Sequence, residues 1–136
     1  MRSFLVKLYF STLAIFFAID FVWLAAVANK FYSAKLGFLM AANTNWLAAI
    51  LFYLLFIVGI LVFVVLPGLE KHSQRFVLVR AALFGLIAYA TYDLTNLATI
   101  QDWPLVITIV DLLWGTTVTT LVSFLSFKVG QRLQKA

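Results

Sequence analysis

The sequence predicts an all-α fold, an integral-membrane four-helix bundle with both termini in the cytoplasm. Three observations carry this expectation. The chain is 65% hydrophobic and 11% charged over 136 residues, and a soluble domain of that size exposes too much of itself to cover so much apolar surface. It contains four apolar runs of roughly 20 residues, each enough to cross a hydrocarbon core of about 30 Å. Its basic residues lie almost entirely to one side of those runs, as the positive-inside rule requires of cytoplasmic segments.

The first helix is expected over about 4–28, with its apolar core from Leu8 to Ala28 preceded by Arg2 and Lys7. Ala26-Val27-Ala28 resembles a signal-peptide cleavage site. The run is nevertheless longer than the roughly 7–15 residues of a signal core, and Asp20 is foreign to one, so the helix is expected to be retained. The second helix, 46–66, carries no charge and is expected to stop at Pro67-Gly68, because proline removes a donor and crowds the preceding turn. The third is expected over 78–100 and the fourth over 105–127, giving a single transmembrane domain across 1–136. Between the first two spans, Tyr32, Leu36, Leu39 and Met40 recur at helical spacing. Residues 31–41 therefore read either as a short interfacial helix or as an irregular loop.

Orientation follows from the cations. Arg2, Lys7, Lys71, Arg75, Arg80, Lys128, Arg132 and Lys135 share one side, against Lys30 and Lys35 on the other. The net charge of +5 is thus accounted for by flanks that meet acidic lipid headgroups; the bilayer is the expected partner, and nucleic acid is not. The chain has no cysteine, which excludes disulfides, thiolate metal sites and thiol nucleophiles. His72, the single histidine, sits among lysine, serine and glutamine and reads as a solvated loop residue. No metal cluster, nucleotide loop or serine–histidine pair is present, and no cofactor is expected.

Three of the five acidic residues, Asp20, Asp93 and Asp111, fall inside the apolar runs. Each costs roughly 2.5–3.5 kcal/mol at the bilayer centre, too much to face lipid. With helices of alternating direction, all three lie about 9–12 Å below the outer interface. They are expected to converge in one pocket, with Asn96 or Tyr92 in hydrogen-bond reach of one of them. No lysine or arginine lies within the apolar runs Leu8–Ala28, Ala81–Ile100 and Leu105–Phe127, so the three cannot all ionise cheaply; a retained proton or a shared cation is expected.

Their neighbours form stripes. Tyr89, Tyr92, Asp93 and Asn96 share a face of the third helix with Gly85 a turn deeper, and Thr108, Asp111, Gly115 and Thr119 share one on the fourth. On the first helix Thr12, Phe16, Asp20 and Trp23 align. The patterns Asp20-Phe-Val-Trp23 and Asp111-Leu-Leu-Trp114 match, each placing an acid and an indole one turn apart. Asp20, Asp93 and Asp111 are therefore the candidate catalytic residues; Trp23, Tyr89, Tyr92, Asn96, Thr108 and Trp114 are candidate ligand-binding residues. A purely structural role is the competing explanation: polar residues bond neighbouring helices, and Gly85 and Gly115 permit close approach. Trp103, beside Asp102 and Pro104, is expected as an interfacial anchor.

The segment from Tyr92 through Asn96 and Trp103 to Pro104, followed by Val110-Asp-Leu-Leu-Trp-Gly-Thr116, resembles a bacterial family of predicted membrane proteins, domain of unknown function 2177. The similarity extends to Asp20-Phe-Val-Trp23 and spans the chain. It implies a bacterial inner-membrane setting and brings no activity, cofactor or catalytic residue.

The leading functional expectation is a polar pocket in the outer half of the bilayer that binds or processes a lipid-like or hydrophobic small molecule. Proton- or cation-coupled transport is the alternative, with Asp20 binding a cationic substrate between Trp23 and Trp114 and the chain working as a homodimer. An accessory subunit of a membrane complex is a further reading. Intramembrane aspartyl hydrolysis is the sharpest. The layout is similar to that of bacterial lipoprotein signal peptidases, but Leu94 and Thr95 after Asp93, and Thr108 before Asp111, depart from their motifs.

Overall fold

The computed structural model describes residues 1–136 and contains four long helices. They are α1 (Arg2–Leu36), α2 (Trp46–Glu70), α3 (Gln74–Thr99) and α4 (Leu105–Lys135), each long and apolar enough to cross a membrane. Only 17% to 39% of the apolar window in each is buried within the chain. The rest is largely apolar surface turned outward, as on helices that span a bilayer.

Each helix outruns its expected bounds, for identifiable reasons. α1 does not end near Ala28; it passes through a π-helical turn at Leu24–Ala28 and continues as Asn29–Leu36. The separate interfacial helix expected over 31–41 is instead mainly the end of α1, followed by turns. α2 runs through Pro67-Gly68 to Glu70 because a second π-helical turn, Leu61–Val65, precedes the proline. A wider turn relieves the clash between a proline ring and the carbonyl one turn back. α3 starts at Gln74, where the Ser73 hydroxyl accepts the Phe76 amide at 3.1 Å, satisfying one of the free donors of a helix start. α4 extends eight residues past 127, to Lys135. Asn45 caps α2 in the same manner, its side chain accepting from Ala48 N at 3.2 Å.

α3 and α4 form the tightest pair, antiparallel and in a simple register. Gly85 faces Gly115 and Thr119, and a Cβ at Gly85 would lie 2.5 Å from the Gly115 carbonyl oxygen. One turn further along α3, a Cβ on Gly115 would overlap the Tyr89 ring. One more turn sets Asp93 beside Asp111. Each step of four residues along α3 is matched by four in reverse along α4, the expected spacing of one helix face. Glycine is needed here because backbone meets backbone or an aromatic face with no room for a side chain.

The half of the bundle nearer the termini is filled. Leu8 and Phe16 of α1, Ile57, Ile60, Val64 and Leu69 of α2, Val77 of α3, and Val118, Val122 and Phe127 of α4 join one apolar core. Small polar groups are stitched into it. The Thr12 hydroxyl donates to the Leu8 carbonyl at 2.7 Å and pairs with Ser126 across to α4. The other half, toward the α1–α2 and α3–α4 connections, is polar inside.

Candidate functional site

Asp20, Asp93 and Asp111 are all buried, with 7%, 0% and 8% of their surface exposed. They line one cavity of about 380 Å³, together with Trp23, Leu24, Tyr32, Phe52, Tyr53, Ala88, Tyr89, Tyr92 and Trp114. All three residues line this cavity although α1 continues past Ala28 to Leu36. No lysine, arginine or histidine is among the lining residues.

The acids sit in two groups. Asp93 and Asp111 are side by side across the α3–α4 seam. Asp20 stands apart on α1, where Tyr53 of α2 donates to its Oδ2 at 3.2 Å and the Trp114 indole lies beside it. The three do not form a metal-ligand cluster. Asp111 Oδ1 accepts the hydroxyl of Tyr32, which the extended α1 carries over the cavity. Asp93 differs from both, because neither of its carboxyl oxygens has a hydrogen-bond partner. A buried polar atom without a partner is costly, and its persistence calls for a specific reason.

The π-helical turn explains how Tyr32 reaches the site. Twelve residues of regular α-helix after Asp20 would leave Tyr32 about 120° around the helix from it. A π-helical turn absorbs roughly one extra residue, about 100° of rotation, and so returns Tyr32 to nearly the same face.

Trp23 and Trp114 stack face to face, with ring centroids 4.2 Å apart and 7° between planes. This corrects the expectation of a cage between them: each indole gives one face to the other and leaves no slot for a cation. Two other expected residues lie outside the cavity. The Thr108 hydroxyl accepts from Trp103 Nε1 at 3.0 Å and donates to the Asp93 backbone carbonyl at 3.3 Å. Asn96 lies beside Tyr92, and neither bonds any of the three aspartates, contrary to the expectation that one of them would; the partners are Tyr32 and Tyr53. Trp103 is not an interfacial anchor either. It is 8% exposed, turned inward so that its N–H finds Thr108 and its ring meets that of Tyr92 edge-on. His72 is exposed in the α2–α3 turn, with a positive φ of 50°.

Sequence reasoning missed Tyr53 and Phe52 and misplaced Tyr32. Tyr53 carried a signal, as the lone phenol in a chargeless span.

The predicted membrane protein family DUF2177 matches residues 5–128. The chain belongs to this family. No curated protein and no solved structure matches it. The DUF2177 match takes in all three aspartates of the apolar helices and both stacked tryptophans. It agrees with four spanning helices in a multi-pass membrane protein and carries no activity.

Proposed function

We propose that this protein resides in the bacterial inner membrane with both termini cytoplasmic, and that its cavity, in the outer half of the bilayer, binds or processes a lipid-like small molecule. The observation that carries this reading is Asp93: a fully buried carboxyl with no partner on either oxygen, lining a cavity whose walls are otherwise mostly apolar. Such a surface holds a polar group against the acids and an apolar body against Phe52, Tyr53, Tyr89 and Leu24. The cation count supports the orientation, with eight basic residues on the side of the termini.

Photoreactive alkyl probes supplied to cells, followed by mapping of the labelled residues, test the reading. Labels concentrated on residues lining the cavity support it; labels spread evenly over the lipid-facing residues refute it.

One observation favours a second reading, acid–base catalysis. Asp93 and Asp111 are adjacent, and two neighbouring carboxyls sharing one proton can supply both an acid and a base. The Tyr32 hydroxyl on Asp111 would have to yield to substrate or water. Transport is less well served, because the cavity lies toward one end of the bundle while transport sites lie near the midplane.

A further inference from the structure

We propose that the cavity recognises a protonated primary amine, and that the ligand is a single-chain alkylamine whose chain lies in the groove between α2 and α3. This rests on the lipid-binding reading above and adds the headgroup and the path of the chain.

The headgroup follows from the acceptors left open. Asp93 offers both oxygens, and the group beside it is a second carboxyl, Asp111. Tyr32 occupies Asp111 Oδ1 and Tyr53 occupies Asp20 Oδ2. The cavity therefore keeps both Asp93 oxygens open although phenols and indoles stand in its wall, and it is lined by no cation. Its complement is a group with several N–H donors, no acceptor and a positive charge. A primary ammonium has three donors and fits that description. A quaternary ammonium has the charge without donors, an alcohol has one donor without charge, and a phosphate or sulfate has the wrong sign.

The path of the chain follows from continuity. Phe52 lines both the cavity and an apolar groove of about 410 Å³ formed by Leu55, Val58, Gly59, Val62 and Phe63 of α2 with Phe84 of α3. From Phe52 to Phe63 the helix rises roughly 16 Å, the extended length of about twelve carbons. Gly59 lets Phe84 form the floor, since a Cβ there would come within 2.8 Å of the Phe84 ring. A chain leaving the acids past Phe52 stays in contact with protein along one side and with lipid along the other.

The test uses the full-length chain in lipid nanodiscs and a dodecylamine carrying a diazirine at its chain end. Label is expected on groove residues such as Val62, Phe63 or Phe84. An unlabelled primary amine should compete at least about tenfold better than the trimethylammonium, alcohol or sulfate of equal chain length. Asp93→Asn should remove that preference, and an unchanged thermal unfolding midpoint in the same nanodiscs would show that the variant remains folded. If the alcohol competes as well as the amine at the same residues, the amine inference fails and the lipid-binding reading stands. Label confined to α1 and α4 overturns the path of the chain. If no probe labels the cavity or groove above the lipid-facing background, both readings fail together.

Discussion

Trp23 and Trp114 stack with their centroids 4.2 Å apart, joining the two Asp-x-x-Trp segments of α1 and α4 across the bundle. The arrangement is crossed. The Trp114 indole lies beside Asp20, and the Trp23 indole lies beside Tyr32, the residue that donates to Asp111. Trp114 thus meets the acid of the other helix directly, and Trp23 meets Asp111 only through Tyr32. Trp23→Phe and Trp114→Phe are each expected to lower stability in detergent by about 0.5–1.5 kcal/mol, the usual worth of an aromatic pair. The double variant should lose less than the sum of the two, because both changes remove the same contact. Equilibrium unfolding of the four proteins measures the coupling.

The Gly115–Tyr89 contact fixes the register that brings Asp93 to Asp111. Gly115→Ala pushes a methyl into the Tyr89 ring and is expected to destabilise the fold by about 1–3 kcal/mol, as overpacking does. Adding Tyr89→Ala makes room for the methyl and should recover part of the loss. Thermal unfolding of the single and double variants decides it; an unaffected Gly115→Ala would mean that the two helices slide freely.

Tyr32 holds the end of α1 over the cavity through its bond to Asp111. Tyr32→Phe removes that bond and keeps the ring. Faster amide exchange is expected across Asn29–Leu36, with little change in the core around Ile57 and Val122. Unchanged exchange would show that packing alone holds this segment.

The proposed orientation makes a simple prediction. Reporter fusions at the amino terminus, in the turn around His72 and at the carboxyl terminus should all read cytoplasmic, and fusions between Gly37 and Asn45 should read external. A terminus that reports outside would reverse the depth of the cavity.

Which parts were legible in sequence has a physical basis. The α3–α4 pair follows from a regular helical period, so the stripes through Gly85, Tyr89 and Asp93 and through Asp111, Gly115 and Thr119 could be read directly. The placing of three acids on one cavity followed from the cost of charge in lipid, which is independent of local geometry. Tyr32 escaped because a π-helical turn shifts the helix face by about one residue, and nothing in Leu24–Ala28 announces it. Trp103 was misread because tryptophans beside a turn usually face headgroups, whereas here the Thr108 hydroxyl satisfies the indole inside the bundle. The stacking of Trp23 on Trp114 was equally hidden: two like motifs say nothing about whether their rings flank a space or fill it.

Asparagine and alanine at Asp93 separate a working site from interhelical glue. Asparagine keeps the volume and, unlike an ionised carboxylate, can donate to Asp111 across the seam, so Asp93→Asn is expected to fold and insert with stability equal to or above that of the natural chain. It cannot titrate or pair with a cation, so ligand binding and any cellular phenotype should be lost. Alanine removes the buried polar atoms that have no partner and leaves a small void beside Tyr89. If Asp93 served only to hold helices together, alanine would cost about 0.6–2 kcal/mol, the worth of a hydrogen bond in a membrane bundle, and asparagine would behave as wild type in every assay. The site reading expects the reverse, with both variants stable and both inactive. Asp111 provides the control, since its Oδ1 accepts from Tyr32: Asp111→Ala should lose stability that Asp111→Asn retains, because an amide oxygen can still receive that hydroxyl.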